Sequence, residues 1–131
     1  MAARITSVVV NCSDPAALAR FWAQVLGWEV QETDDDVVTL GPPGQPAKGP
    51  VPVLDFVAVP DPTPGRRRLH LDVNPTDRDQ AAELERLLEL GAVPVDVGQG
   101  PVSEDMTWHV LADPEGNEFC LLRSRVDPLT G

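Results

Sequence analysis

One order of secondary-structure patterns runs through this chain twice, and that recurrence limits its fold more than any other feature. Residues 5–12 are apolar and largely β-branched, the signature of a buried strand. Ser13-Asp14-Pro15 is a helix start, with Ser13 or Asp14 as N-cap and Pro15 at the first helical position. Leu18, Phe21, Trp22, Val25 and Leu26 then recur at helical spacing until Gly27 stops the helix. Residues 28–31 and 37–40 are short strands joined across the exposed acidic turn Thr33-Asp34-Asp35-Asp36. Residues 41–50, rich in Pro and Gly, are expected to be a mobile loop, and residues 51–59 a fourth strand with Pro52 near an edge.

The second half repeats the order. Residues 69–73 are a strand, and Pro75-Thr76-Asp77 begins a second helix. Its stripe of Ala81, Leu84, Leu87 and Leu88 is closed by Leu90-Gly91. Residues 93–97 are a strand, and residues 106–112 run into a last hairpin across Asp113-Pro114-Glu115-Gly116. In that turn proline fixes φ at the second position and glycine supplies the positive φ. Ser7 aligns with His70 and Asp14 with Asp77 at a shift of 63 positions, and Phe56-Val57 meets Phe119-Cys120 at the same shift. Leu26-Gly27 meets Leu90-Gly91 at 64. The expectation is an α+β fold of two tandem βαβββ modules, about residues 4–60 and 66–125, within one domain spanning 1–131.

Composition narrows the partners. A chain of 131 residues that is 42% apolar can bury a core, and no apolar run is long enough to span a bilayer, so no membrane is expected. The N-terminus enters a strand pattern without a basic or apolar leader, so no export signal is expected. Cys12 and Cys120 do not make a disulfide framework and fit a reduced cytoplasmic setting. The net charge of −11 excludes a nucleic-acid partner, which needs clustered Lys and Arg; Arg66-Arg67-Arg68 reads as a solvated strand entry.

Three segments carry a family resemblance: Val8-Val9-Val10-Asn11-Cys12-Ser13-Asp14-Pro15 through Phe21-Trp22 and Leu26-Gly27-Trp28, then Arg68-Leu69-His70-Leu71-Asp72-Val73, then Asp113-Pro114-Glu115-Gly116-Asn117-Glu118-Phe119-Cys120. In these the chain resembles the vicinal oxygen chelate superfamily of glyoxalases, extradiol dioxygenases and fosfomycin and bleomycin resistance proteins, in its glyoxalase-like branch. The resemblance implies that each module curls an antiparallel sheet around a shared cleft, with helices outside. It also implies that metal-containing members take one ligand from the first and one from the last strand of each module. The matching positions here are Ser7, Val57, His70 and Cys120. A hard divalent ion wants His and carboxylate or amide ligands. Of these four, His70 is standard, Ser7 weak, Val57 unable to coordinate, and Cys120 suited to a softer ion. No metal and no cofactor are therefore expected, and a metal-dependent glyoxalase or ring-cleaving dioxygenase is disfavoured.

Alternation along the strands selects candidate residues. It puts His70, Asp72 and Asn74 on one face and Leu69, Leu71 and Val73 on the other, so the polar set should face the cleft. His70 is then a ligand hydrogen-bonder or general base, or else a histidine satisfied by Asp72 or a backbone carbonyl. Asp55 and Glu118, one in each module, are general acid/base groups if shielded, or solvated strand-end carboxylates. Cys120 is a nucleophile if a base activates it, or a small buried hydrophobe. Cys12, of opposite parity to Ser7, should pack structurally. Trp108 shares parity with Val110 and Ala112 and serves either as an aromatic wall or as core.

The expected ligand set is Ser7, Val9, Val57, His70, Asp72, Trp108 and Cys120, with His70 and Glu118 as catalytic candidates. The first expectation is a metal-independent module that binds or sequesters a small apolar or aromatic molecule, paired as a homodimer. The alternative is a lyase or isomerase in which His70 and a cleft carboxylate move a proton. A third reading gives His70 and Cys120 an unusual metal.

Overall fold

In a computed structural model of the chain, residues 2, 4–46, 48–61, 70–95 and 108–129 are described. They fall into two compact units. The expected strand starts at Leu69 and Met106, the end of the strand expected over 93–97, and the Arg66-Arg67-Arg68 cluster lie outside the described residues.

The first unit contains β1 (Ser7–Cys12), α1 (Pro15–Leu26), β2 (Glu29–Thr33), β3 (Val37–Gly41) and β4 (Val53–Ala58), with the sheet ordered β1-β4-β3-β2. Asp14 is the N-cap, accepting the Ala17 N–H at 3.2 Å. Leu18, Ala19, Phe21, Trp22 and Val25 are buried on one side of α1, which packs on β3 and β4. Phe21 and Trp22 meet edge to face at 5.3 Å. Beneath the helix, Val38 lies beside Phe56 and Leu40 beside Leu54, all buried. Cys12 joins this side of the sheet, fully buried.

The second unit contains β5 (Leu71–Val73), α2 (Gln80–Leu90), β6 (Val93–Pro94), β7 (Trp108–Ala112) and β8 (Glu118–Leu122), ordered β5-β8-β7-β6. Its core is Leu87 of α2 over Leu111, Phe119 and Leu121. In both units the first strand runs parallel to the last, so each sheet is mixed rather than antiparallel throughout. The helix returns the chain in the first strand's direction, and two hairpin reversals leave the last strand running that way again.

Three expectations are corrected. The second helix begins at Gln80, capped by Asp79, which accepts the Ala82 N–H at 2.8 Å; Pro75-Thr76-Asp77 precedes it. Pro75 is instead fully buried, and its carbonyl accepts the Val126 N–H at 3.0 Å. Beside it, the exposed Arg78 guanidinium holds the Asp77 carboxyl below the usual carboxylate range by hydrogen bonding and charge. Two residues separate β1 from α1 and six separate β5 from α2, so the uniform shift breaks. β1 is offset from its partner in β4 by 46 positions (Ser7 to Val53), and β5 from β8 by 48 (Leu71 to Phe119).

The third correction concerns the described part of the 41–50 loop, residues 41–46 and 48–50, which is laced down by hydrogen bonds. Gln31 sits at the β-bulge between Val30 and Glu32, and its amide donates to the Pro42 and Gln45 carbonyls at 3.5 and 3.2 Å. The Gln45 amide in turn donates to the Val51 carbonyl at 2.8 Å and accepts its N–H at 3.1 Å. The Gln31 amide occupies the space a Cβ at Gly41 would need. Gly41→Ala is therefore expected to push the Gln31 amide aside and cost about 0.5–1.5 kcal/mol through the hydrogen bonds it gives up. In urea melts, adding Gln31→Ala should then cost little more; strictly additive losses would dismiss the clash.

Candidate functional site

Within each unit, among the described residues, the sheet has one face under its helix and one face without a helix, and the strand registers assign residues to them. In the first unit Ser7 pairs with Val53, Val9 with Asp55 and Asn11 with Val57, all on the helix-free face. Val9 is 58% exposed there. Thr39 lies on the other side of Asp55, and its hydroxyl donates to Asp55 Oδ1 at 2.5 Å. Asp55 is thus engaged within its own sheet. Thr39 was not among the sequence candidates; its parity with Asp55 is set by the register of β3 on β4, which the sequence pattern does not give.

In the second unit Asp72 pairs with Cys120, Cys120 with Val110, Glu118 with Ala112 and Leu122 with Trp108, again on the helix-free face. Trp108 is 39% exposed. His109 has the opposite parity and pairs with Leu121 on the helix side. The seven candidate ligand contacts therefore divide between the units: Ser7, Val9 and Val57 on the first sheet, Asp72, Trp108 and Cys120 on the second, with His70 immediately before β5.

His70, Asp72 and Cys120 are brought together. His70 Nε2 lies 3.2 Å from Asp72 Oδ1, with both side chains about half exposed. One donor atom from each of the three residues lies within 4.8 Å of the others. Neither this cysteine nor Cys12 forms a disulfide. The sequence placed His70 with Asp72 but gave no signal that Asp72 stands abreast of Cys120. Cys12, in the first unit, plays a packing role: its thiol is buried and donates to the Val57 carbonyl at 3.6 Å.

The four positions at which the resemblance implies a metal do not fit one. Ser7 is in register with Val53 and Val57 with Asn11, so Ser7 and Val57 stand four residues apart along the ladder. That is about 13 Å of strand. A valine also offers no donor atom. The first unit therefore supplies no ligand pair for a hard divalent ion at these positions.

Comparison with known proteins fixes the family. The glyoxalase-like domain family matches residues 7–122. No functionally curated protein matches the chain. Among solved structures, the oxidase ChaP-H2 is 21% identical, with 98% of this chain and 100% of that one covered at a TM-score of 0.64. A mutant of the fosfomycin resistance protein FosX from Listeria monocytogenes, complexed with Mn(II) and a dihydroxypropylphosphonic acid, is 13% identical, covering 93% and 90% at 0.67. A glyoxalase-related enzyme from Fulvimarina pelagi is 17% identical, covering 92% and 88% at 0.64. At these identities the likeness establishes the fold. No helix among the described residues is long and apolar enough to cross a membrane. With the family match running from β1 through β8 and the βαβββ order present twice, this chain belongs to the glyoxalase-like domain family of the vicinal oxygen chelate superfamily.

Proposed function

We propose that the chain binds a small apolar or aromatic molecule on a helix-free sheet face, as a cytoplasmic binding or sequestration protein. The observation that carries this reading is the second unit's face, where a partly exposed Trp108 shares one surface with the polar His70–Asp72 pair. An apolar wall with a few placed polar groups is the usual composition of a small-molecule site. Ser7, Val9 and Val57 offer a comparable surface on the first unit. The binding needs no hard divalent ion, for which the donor set is unsuited. The net charge of −11 favours cationic over anionic ligands.

The second reading is a lyase or isomerase. Asp72 would orient the His70 imidazole, leaving it to take a proton from a bound substrate, with Glu118 on the same face as the second carboxylate. Relatives that act on small molecules lend this reading support, since FosX is a fosfomycin resistance protein and ChaP-H2 an oxidase. Pairing of two chains is proposed on the superfamily resemblance and is read directly by light scattering.

The test is a thermal-shift screen of aromatic and cationic aromatic compounds with wild type, Trp108→Ala and His70→Ala. A true ligand at a hundredfold excess over Kd adds about 2.7 kcal/mol, a shift of several degrees. Trp108→Ala should abolish it and His70→Ala reduce it. A ligand whose shift survives both substitutions binds elsewhere and removes this face from the proposal. Exchange of a substrate C–H for deuterium, lost in His70→Ala, would favour the enzymatic reading.

A further inference from the structure

We infer that His70, Asp72 and Cys120 form a three-donor site for a borderline-soft divalent cation of the zinc type, contained within the second unit. This differs from the arrangement that the resemblance implies, in which both modules contribute and the ion is hard. It shares a sheet face with the proposed small-molecule site but depends on no organic ligand being bound there.

The register builds the site. Asp72 and Cys120 are directly abreast on the parallel pair β5–β8, and His70 lies two residues before Asp72 with the same parity. Adjacent strands stand about 4.8 Å apart and same-face neighbours about 6.6 Å apart along a strand, distances that side chains of these lengths can close. They do close: the imidazole nitrogen, carboxylate oxygen and thiol sulfur are mutually within 4.8 Å. Zinc bonds of about 2.0–2.1 Å to nitrogen, 2.0–2.2 Å to oxygen and 2.3 Å to sulfur, at tetrahedral angles, place donors roughly 3.3–3.7 Å apart. The gap is about 1 Å, and His70 and Asp72 are half exposed and able to turn.

Donor chemistry chooses the ion. One imidazole, one carboxylate and one thiolate match the ligands zinc takes, whereas Mg²⁺ and Mn²⁺ favour oxygen. Thiolate and carboxylate together carry two negative charges, which a divalent cation neutralises. Binding releases the thiol proton, so affinity should rise with pH. Three protein donors leave the fourth tetrahedral position for water or another ligand.

The experiment is a Co²⁺ titration of chelator-treated, reduced full-length protein, followed by absorption, with Zn²⁺ competition. One equivalent of Co²⁺ should produce a sulfur-to-cobalt charge-transfer band and tetrahedral d–d bands, and Zn²⁺ should remove both. Cys120→Ser should abolish the charge-transfer band. His70→Ala and Asp72→Asn should each weaken binding by about tenfold or more. Circular dichroism melts check that each variant is folded, and Cys120→Ser, nearly isosteric at a partly exposed position, keeps the test open if another variant is not. Failure to bind one equivalent, or a charge-transfer band that persists in Cys120→Ser, overturns the site. Because the probe is the metal alone, neither result depends on whether the small-molecule reading holds.

Discussion

Phe119→Ala is expected to destabilise the second unit by about 3–5 kcal/mol, the largest loss anticipated for any single substitution in it. Phe119 is 1% exposed and lies in register between Leu71 of β5 and Leu111 of β7. Leu87, fully buried on α2, belongs to the same small core. Removing the ring leaves a cavity that three strands and a helix cannot all close at once, so lost burial and lost dispersion add. With m between about 1 and 3 kcal/mol per molar for urea, the midpoint should fall by at least about 1 M. Tryptophan fluorescence is a suitable probe, since Trp108 begins the neighbouring strand β7. A loss under about 1 kcal/mol would mean that the core collapses into the space, contrary to the packing described.

Asp113→Ala should cost about 2–4 kcal/mol, for a different reason. Asp113 is 3% exposed, and its carboxylate organises the β7–β8 turn. Oδ1 accepts the Glu115 N–H at 2.9 Å and the Asn117 N–H at 3.0 Å, while the Asn117 side-chain amide reaches both oxygens. The backbone closes the same turn, with the Gly116 N–H donating to the Asp113 carbonyl at 2.8 Å and the Asp113 N–H to the Asn117 carbonyl at 2.9 Å. Gly116 has φ +84°, a value other residues adopt only under strain. Alanine at 113 strands two backbone donors. Asp113→Asn keeps one oxygen acceptor, and Asn117 can rotate its amide to meet the new one, so the loss should be under half as large. Equal losses in urea melts of the two variants would point to charge, not acceptor position, as the stabilising element.

These two sites also mark how much was legible in the sequence. Period-two alternation fixed the faces: Phe119 and Leu121 fell on the helix side, and Glu118, Cys120 and Trp108 on the other, because parity survives any even slip. Register did not survive, for the same reason. The offset of 48 in β5–β8 against 46 in β1–β4 changes no parity, yet it decides that Asp72, rather than Asn74, stands beside Cys120. The second helix start was misplaced because Asp77 and Asp79 are equally good caps, and burial of Pro75 against the chain near Val126 settled the choice from a distance. Asp113 was legible as a turn former but not as a buried acceptor. The Gln31 and Gln45 clamps were illegible, because a glutamine carries no local mark of what it will bind.

The parallel closing pairs also have a kinetic meaning. The β7–β8 hairpin closes over a short turn and can form within microseconds, whereas β5 must find β8 across 48 positions of chain. Loop-closure entropy places that long-range pairing among the late and slow events in assembling the unit. Asp72 reaches Cys120 only when it is complete. The arrival of that pair is therefore a clock for folding: a spectroscopic probe seated on it stays silent through hairpin formation and reports only the final docking of the strand.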